Sequence, residues 1–375
     1  MKLDVAPLRY LQKEHFDVLT AIEMGSRNHE VVPMRLLSQL SKQRPGGVNK
    51  LVSDLQKLKL VSKESGKAGS GKPYEGVILG YGGYDYLALR ALSGKGAVVG
   101  VGRQIGVGKE SDIYEVFPGE DIDFSCVIKL QRLGRTSFRS VKKNRDYIGN
   151  RQHYSWLYLS KLAATKEFAF IEALYEHGFP VPVPVGHSRH VICMQQIMGI
   201  RLDELRLETV PGETEEAKLE FVKEKLTECI RMIIRLAEHG LVHGDFNEFN
   251  LILEEDSLRM VMIDFPQMTS VKHEEASVFF QRDVEGVISF FARKFGVVYE
   301  GPMPELSSII QSHDLDRQLR ASGSKSKDLE DLEDLDDEDL ECEDNNAEYD
   351  DQSGSENHST EMSDESESEN QENNL

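Results

Sequence analysis

The segment at residues 241–253, LVHGDFNEFNLIL, constrains this chain more than any other. Apolar residues on both sides of its polar centre predict two strands that hold a turn between them. Within that turn Asp245 and Asn250 are five residues apart, the spacing of an HxDxxxxN loop. Such a carboxylate can accept or orient a proton, and such an amide can bind a divalent ion that bridges phosphates. The alternative is an ordinary polar hairpin, which the other motifs disfavour.

A second carboxylate with the same chemistry follows in MIDFPQ, residues 262–267. Asp264 stands fourteen residues after Asn250, where a kinase-type fold has the metal ligand of its DFG motif. Pro266 replaces the glycine of that motif, and proline fixes its own φ. We therefore expect a metal ligand at Asp264 without the DFG-type flip.

Lys129 lies inside the apolar segment CVIKL, residues 126–130, where a lysine is costly to bury unless it is paired. This is the strand lysine that holds the α- and β-phosphates in kinases. Its partner should be a glutamate on the next helix, either Glu167 or Glu172. We favour Glu167, because the neighbouring apolar residues Phe168, Ile171, Leu174 and Tyr175 form a packing stripe. The alternative is a lysine that snorkels to the surface.

A glycine hairpin, IGVGKESDIY at residues 105–114, precedes that lysine. Gly106 and Gly108 would let the backbone approach phosphates closely, with Lys109 and Ser111 contacting the oxygens. The sequence is neither a Walker A motif nor a full GxGxxG loop, since Ser111 stands at the third glycine. Taken alone, a glycine turn without a ligand would be the simpler explanation.

Residues 1–95 follow the element order of a winged helix-turn-helix. Apolar spacing predicts helices near 8–22, 33–40, 48–58 and 84–92, and two strands at 60–63 and 74–79 that flank SGKAGSGKP. This block has 15 Lys and Arg against 9 Asp and Glu. Its third helix and wing contain Lys50, Lys57, Lys59, Lys63, Lys67 and Lys72. Such a distribution suits nucleic-acid phosphates, with a protein-docking module as the alternative.

The charge of the whole chain is carried by its end. The net charge is −21, but residues 328–375 contain 22 acidic residues and no Lys or Arg, which leaves 43 acids and 44 bases before them. We expect residues 321–375 to form a disordered acidic tail. No apolar run is long enough to span a membrane, so no membrane partner is expected.

The remaining residues predict two lobes. Strands at 98–105, 113–117 and 124–130 open a small β-rich lobe, residues 96–197, and helices such as 216–238 fill a second lobe, residues 198–310. The fold class is therefore α+β: a winged helix, a compact bilobal domain and a tail. The second lobe lacks an APE motif and is short for a usual protein kinase or a small-molecule kinase. Asp283 would either accept hydrogen bonds from the 241–253 loop or cap a helix.

These motifs together resemble the RIO family of atypical protein kinases. GVGKESDIY, the Lys129 strand, HGDFNEFN and IDFPQ carry the resemblance over residues 1–310. The winged helix and LGRTSFR, residues 133–139, resemble its type-two subfamily. The resemblance implies a bilobal RIO fold that binds ATP with Mg²⁺.

The resemblance also implies roles for single residues. Asp245 would be the catalytic aspartate, Asn250 and Asp264 would hold the metal, and Lys129 would pair with Glu167. Ser111 would contact phosphate. The adenine hinge would comprise Met194, Gln195 and Ile197, although Gln195 stands where the family often has an acid.

What the resemblance implies about cellular function is broader. Type-two members are serine/threonine kinases and ATPases of late small-subunit (pre-40S) maturation in the cytoplasm, with shuttling through the nucleus. They autophosphorylate, hydrolysis is thought to release them from the particle, and a phosphoaspartate is proposed at the position of Asp264. The basic loop 132–151 would touch rRNA or take autophosphorylation, and the tail would dock ribosomal proteins. The alternatives are a small-molecule kinase or a non-catalytic RNA-binding assembly factor.

Overall fold

The computed structural model of this chain describes residues 2–67, 72–135, 156–317 and 319. Most of the predicted basic loop, residues 136–151, lies outside these residues. The same holds for the predicted acidic tail and for part of the wing loop. Over the described residues, no helix is long and apolar enough to cross a bilayer.

A winged helix opens the chain, with four helices and a small antiparallel sheet. The helices are α1 Lys13–Gly25, α2 Met34–Leu40, α3 Pro45–Lys57 and α4 Tyr81–Gly94. The sheet has the order β1-β3-β2, with β1 Val32–Pro33, β2 Val61–Lys67 and β3 Pro73–Leu79. The two-residue β1 was not predicted, because it is too short for a periodic pattern to show.

The predicted first helix, 8–22, was wrong at its start. Residues Ala6–Tyr10 form a separate 3₁₀ turn, and α1 begins only at Lys13. Gln12 is extended, and its backbone N–H donates to Nδ1 of His15 at 3.1 Å. This capping box ends the turn and starts a new helix, which apolar spacing alone cannot reveal.

The N-lobe is a five-stranded antiparallel sheet with one long helix, α5 Trp156–Glu176. Its order is β4-β5-β6-β8-β7, from β4 Gly100–Val107, β5 Ser111–Phe117, β6 Cys126–Gln131, β7 Pro184–Ser188 and β8 Val191–Gln195. Every residue of the central β6 is buried, as its nearly continuous apolar sequence predicts.

The C-lobe is built on two helices, α6 Glu215–Glu238 and α7 Ala276–Phe295. The Thr214 side chain caps α6 by accepting from the N–H of Ala217 at 3.2 Å. Short strands carry the active-site segments: β9 Gly199–Arg201, β10 Leu241–Val242, β11 Leu251–Glu254, β12 Met260–Met262 and β13 Thr269–Ser270. The lobe continues beyond residue 310, because Leu315 is fully buried in its core.

Two hydrophobic cores stabilise these parts. One fills the C-lobe and reaches α5. The other is shared between the winged helix and the N-lobe sheet, since Leu19 and Leu92 belong to the same buried cluster as Tyr114 and Ile128. The winged helix therefore packs on the N-lobe as part of one hydrophobic core.

Candidate active site

Lys129 lies in the centre of β6 and is 7% exposed at its side chain. Its Nζ pairs with Glu167 Oε1 and donates to Asp264 Oδ1 at 2.6 Å. Burial alone would lower the pKa of Lys129, but the charges of Asp264 and Glu167 outweigh it and raise that pKa above its usual value. Lys129 is therefore a fixed positive charge between two carboxylates.

Glu167, rather than Glu172, is the partner that α5 presents to Lys129. The carboxylate is almost fully buried and is held from several sides. It accepts from Gln131 Nε2 at 2.5 Å and from the N–H of Phe265 at 3.4 Å. These bonds join β6, α5 and the segment after β12 at one point.

Asp264 follows β12 with a backbone φ of 68°, in the left-handed region that non-glycine residues seldom adopt. Its side chain is 40% exposed, whereas the next residue, Phe265, is buried in the C-lobe core. Burial of Phe265 thus directs the neighbouring carboxylate toward Lys129 and solvent. Such a local strain is typical of residues held for function.

The catalytic loop, as we call residues 243–250, connects β10 to β11. Asn250 Nδ2 donates to the backbone oxygen of Asp245 at 2.9 Å and to its Oδ2 at 3.2 Å. Asn247 Nδ2 and Gln267 Nε2 also donate to the Asp245 carboxylate, at 2.8 and 3.3 Å. Burial, with the Asp264 charge, raises the pKa of Asp245 above its usual value.

Asp283 supports this loop from behind and does not cap a helix, since it lies within α7. Its two oxygens accept from the N–H groups of Gly244 at 2.8 Å and Phe246 at 3.1 Å. Arg282 donates to the Gly244 carbonyl oxygen from the same helix. Burial raises the pKa of Asp283 to about 6.

His243 is an apolar part of the loop. It is 2% exposed, its ring nitrogens have no hydrogen-bond partner, and it packs edge-on against Phe246. Burial lowers its pKa to about 4, so the ring is neutral at neutral pH. His243 therefore shapes the loop by packing.

The glycine hairpin joins β4 to β5, with Gly108 and Lys109 exposed at its turn. Register shifts between Val101 and Gly106 show that β4 is bulged on its way to the turn. Gly108 donates its N–H to the Ser111 carbonyl oxygen at 2.7 Å, which closes the turn. Both predicted phosphate-contacting residues, Lys109 and Ser111, are at the solvent-facing end of the sheet.

The predicted hinge follows the end of β8. Met194 packs partly buried against the C-lobe core, and Ile197 is half-buried just beyond the strand. The Gln195 side chain turns back and accepts from the N–H of Val183 at 3.3 Å. Gln195 is thereby fixed between β7 and β8 and helps set the connection between the lobes.

Lys129, Glu167 and Asp264 thus meet at one point, and Asp245 and Asn250 meet at another within the adjoining loop. The donor set fits magnesium, which proteins usually bind through one or two carboxylates together with phosphates and water. Among the described residues no group of three or more His, Cys, Asp or Glu could hold a metal. Asn250 and Asp264 would hold Mg²⁺ between protein and phosphate, where it would neutralise phosphate charge.

Several site contacts escaped the sequence analysis. Gln131, Asn247 and Gln267 have no distinguishing pattern, because their roles depend on residues far away in the chain. The basic loop prediction was also wrong in part. Arg132 is 3% exposed and Arg135 pairs with a buried aspartate, so neither is a freely exposed base for rRNA.

Comparison with known proteins agrees with this geometry. A family model described as "RIO domain" matches residues 112–302, and one described as "Rio2, N-terminal" matches residues 8–95. The serine/threonine-protein kinase rio2 of Schizosaccharomyces pombe is 46% identical, over 88% of this chain and 92% of its own length. The protein of the same name in Dictyostelium discoideum is 43% identical, over 88% of this chain and 59% of its own length.

Solved structures show the same relationship. The Rio2 kinase–ADP/Mg²⁺–phosphoaspartate complex of Chaetomium thermophilum is 42% identical, with a TM-score of 0.72 over 89% of this chain and 98% of the other. The winged helix followed by a RIO domain is common to these proteins. The chain belongs to the RIO family, among the Rio2 serine/threonine-protein kinases.

Proposed function

We propose that the chain binds ATP with Mg²⁺ and transfers the γ-phosphoryl group. The observation that carries this proposal is the convergence of Lys129, Glu167 and Asp264 beside the Asp245–Asn250 loop. Phosphoryl transfer is catalysed mainly by positioning and by charge stabilisation, which is what fixed charges at such a point provide. The Rio2 kinase of Chaetomium thermophilum forms a complex with ADP and Mg²⁺, which supports the same ligands here.

Each residue has a distinct task in this proposal. Lys129, oriented by Glu167, would contact the α- and β-phosphates, and the glycine hairpin would cover them with Ser111 and Lys109. Asp245 would orient the attacking hydroxyl, helped by its raised pKa. The adenine would lie against the hinge at 194–197.

The first phosphoryl acceptor in our proposal is Asp264. One of its carboxylate oxygens would attack the γ-phosphorus, the bond to the β-phosphate oxygen would break, and ADP would leave. Water would then hydrolyse the acyl phosphate, so that the sum is ATP hydrolysis. Support comes from the partly exposed carboxylate beside Lys129 and from the phosphoaspartate of the Chaetomium thermophilum complex.

A single-turnover experiment with γ-labelled ATP tests this function. We expect label to remain on the wild-type protein and to be removed by hydroxylamine, as an acyl phosphate requires. Asp264→Ala should lose both the label and Mg²⁺-dependent turnover, by at least about 100-fold. Asp256→Ala, at an exposed turn of the same lobe, should behave as wild type. Turnover of Asp264→Ala at the wild-type rate would mean that the site assignment is wrong.

The proposed setting of this activity is the precursor of the small ribosomal subunit, with rRNA held by the winged helix. All six lysines of α3 and the wing named above are exposed, as phosphate contacts require. Autophosphorylation, release from the particle on hydrolysis, a cytoplasmic location and tail-bound ribosomal proteins belong to the same proposal. A small-molecule kinase is less compatible, because α7 is the only long helix described after Asp264.

A further inference from the structure

Asp112, near the start of β5, is a carboxylate without exposed surface that has no place in the site described above. Two arginines neutralise it. Arg135 donates from Nη1 to Oδ1 at 2.8 Å and from Nη2 to Oδ2 at 2.6 Å, and Arg132 Nε lies 3.4 Å from Oδ2. A buried carboxylate is tolerated only with such partners, and the two-pronged pair also fixes direction.

Arg135 makes a further contact at the turn of the glycine hairpin. Its Nη1 donates to the Gly108 carbonyl oxygen at 3.3 Å, while the Arg132 N–H donates to the Glu110 carbonyl oxygen at 2.5 Å. Both halves of the turn are therefore bonded to the segment that leaves β6. That segment begins three residues after Lys129, so the turn and the lysine share one support.

The cluster continues into the winged helix. Arg132 donates to both oxygens of Asp85, at 2.6 and 2.8 Å, and Asp85 lies in α4. His190, on the β7–β8 connection, contacts the same carboxylate at 2.8 Å. A continuous series of polar contacts thus runs from α4 to the exposed turn: Asp85, Arg132, Asp112, Arg135 and Gly108.

We propose that Arg135 and Asp112 are positioning residues for the nucleotide phosphates, and that Asp85 sets them from the winged helix. Neutralising Asp112 requires only positive charge. The planar fork of Arg135, which reaches two carboxylate oxygens and a loop carbonyl, specifies the shape of the turn as well. The inference rests on the proposed nucleotide-binding function, because its consequence is the orientation of phosphates at residues 106–111.

Steady-state ATP turnover by the full chain tests this positioning role. Arg135→Met should raise the KM for ATP on the order of tenfold and change kcat less than about threefold, because Arg135 orients the phosphates without touching the reacting atoms. Arg135→Lys keeps the charge without the fork and should lie between. Arg103→Met is the matched control, since Arg103 pairs with Glu115 on the same hairpin and is 80% exposed. Its KM should equal that of wild type.

Hydrogen exchange of the nucleotide-free chain gives a second readout that does not depend on ATP. Amides of residues 106–111 should exchange faster in Arg135→Met and in Asp85→Asn, and at the wild-type rate in Arg103→Met. Wild-type KM together with wild-type exchange in Arg135→Met would overturn the proposal. If that variant does not fold, Arg135→Lys decides, and a wild-type KM there overturns it.

The outcomes also separate this proposal from the function on which it rests. A wild-type chain that fails to bind ATP would refute the nucleotide function, while faster loop exchange in Arg135→Met would still show the support of the turn. An effect of Arg135→Met without any effect of Asp85→Asn would overturn the connection to the winged helix.

Discussion

Asp283 holds the backbone of the catalytic loop with both carboxylate oxygens, although it neither binds metal nor contacts Asp245 directly in the described hydrogen bonds. Burial raises its pKa to about 6 in spite of these two N–H donors. Single residues in this site thus combine two opposed effects. They hold the loop in place, and they retain a charge that their surroundings disfavour.

This charge predicts a pH dependence of stability. The pKa of Asp283 rises from the ordinary value of 3.8 to about 6 on folding, so the folded state keeps its proton at pH values where the unfolded state has lost it. The free energy of unfolding that Asp283 contributes should therefore fall as pH rises from about 4 to 6, by up to about 3 kcal/mol.

Urea unfolding of wild type and Asp283→Asn, at pH values from 4 to 7, measures this contribution. The stability of wild type relative to the variant should decline across that window, because the asparagine does not titrate. A difference between the two proteins that stays constant with pH would contradict the raised pKa.

The catalytic loop as an element depends on backbone geometry that few residues can adopt. Gly244 has a φ of 75°, and a Cβ placed there would lie 2.8 Å from the Gln267 carbonyl oxygen. The close approach brings the DFP segment, residues 264–266, next to the loop, and Gln267 also donates to Asp245. Glycine is therefore required here by both dihedral angle and space.

Replacement of this glycine should have the opposite effect to that of a nearby one. Gly244→Ala should destabilise the protein by about 1–3 kcal/mol and lower kcat, because the strained φ and the Gln267 contact both oppose a methyl group. Gly286→Ala, in α7 with open space around its Cβ position, should stabilise by about 0.4–1 kcal/mol.

Thermal unfolding and ATP turnover of both variants test this contrast. Equal melting temperatures for the two would show that the loop relaxes around the methyl group. In that case the geometry of the loop would not be what limits the choice of residue at position 244.

At the scale of the whole molecule, the winged helix and the N-lobe behave as one body because they share a hydrophobic core and several polar contacts. The N–H of Leu3 donates to the Tyr114 hydroxyl at 3.0 Å. Arg189, on the β7–β8 connection, donates to both Glu23 oxygens at 2.7 and 2.6 Å. An RNA held by the winged helix would therefore act on the lobe that contains Lys129.

Charge reversal tests the proposed RNA surface. Replacing Lys50, Lys59 and Lys63 by Glu should weaken binding to a small-subunit rRNA fragment and lower the dependence of log K on log salt, by up to about 0.9 per lost phosphate contact. The KM for ATP should stay unchanged, because these exposed lysines lie outside the nucleotide site.

Lys223→Glu, an exposed lysine of α6 in the C-lobe, is the matched control and should bind the fragment as wild type does. Equal losses in the triple variant and in the control would indicate general electrostatic attraction. Binding through the winged helix would then be refuted.

Most helices and strands were predictable from the sequence, because periodicity and capping act over a few neighbouring residues. The α6 helix differs from its predicted range by one residue, and the apolar stripe beside Glu167 selected it correctly over Glu172. The capping box at Gln12 and the short β1 were missed, since neither alters the apolar pattern. The roles of Lys129, Asp245, Asn250 and Asp264 were proposed from motif spacing alone.

By itself, the sequence determined the order of the elements and the family motifs, which depend on residues close together in the chain. Only the tertiary structure decided how charges pair over long separations. It placed Asp264 on Lys129 across 135 residues, and it turned Arg132 from a basic loop residue into a buried partner of Asp85. The physical reason is that a buried charge must find its counter-charge in space, and folding alone brings those groups together.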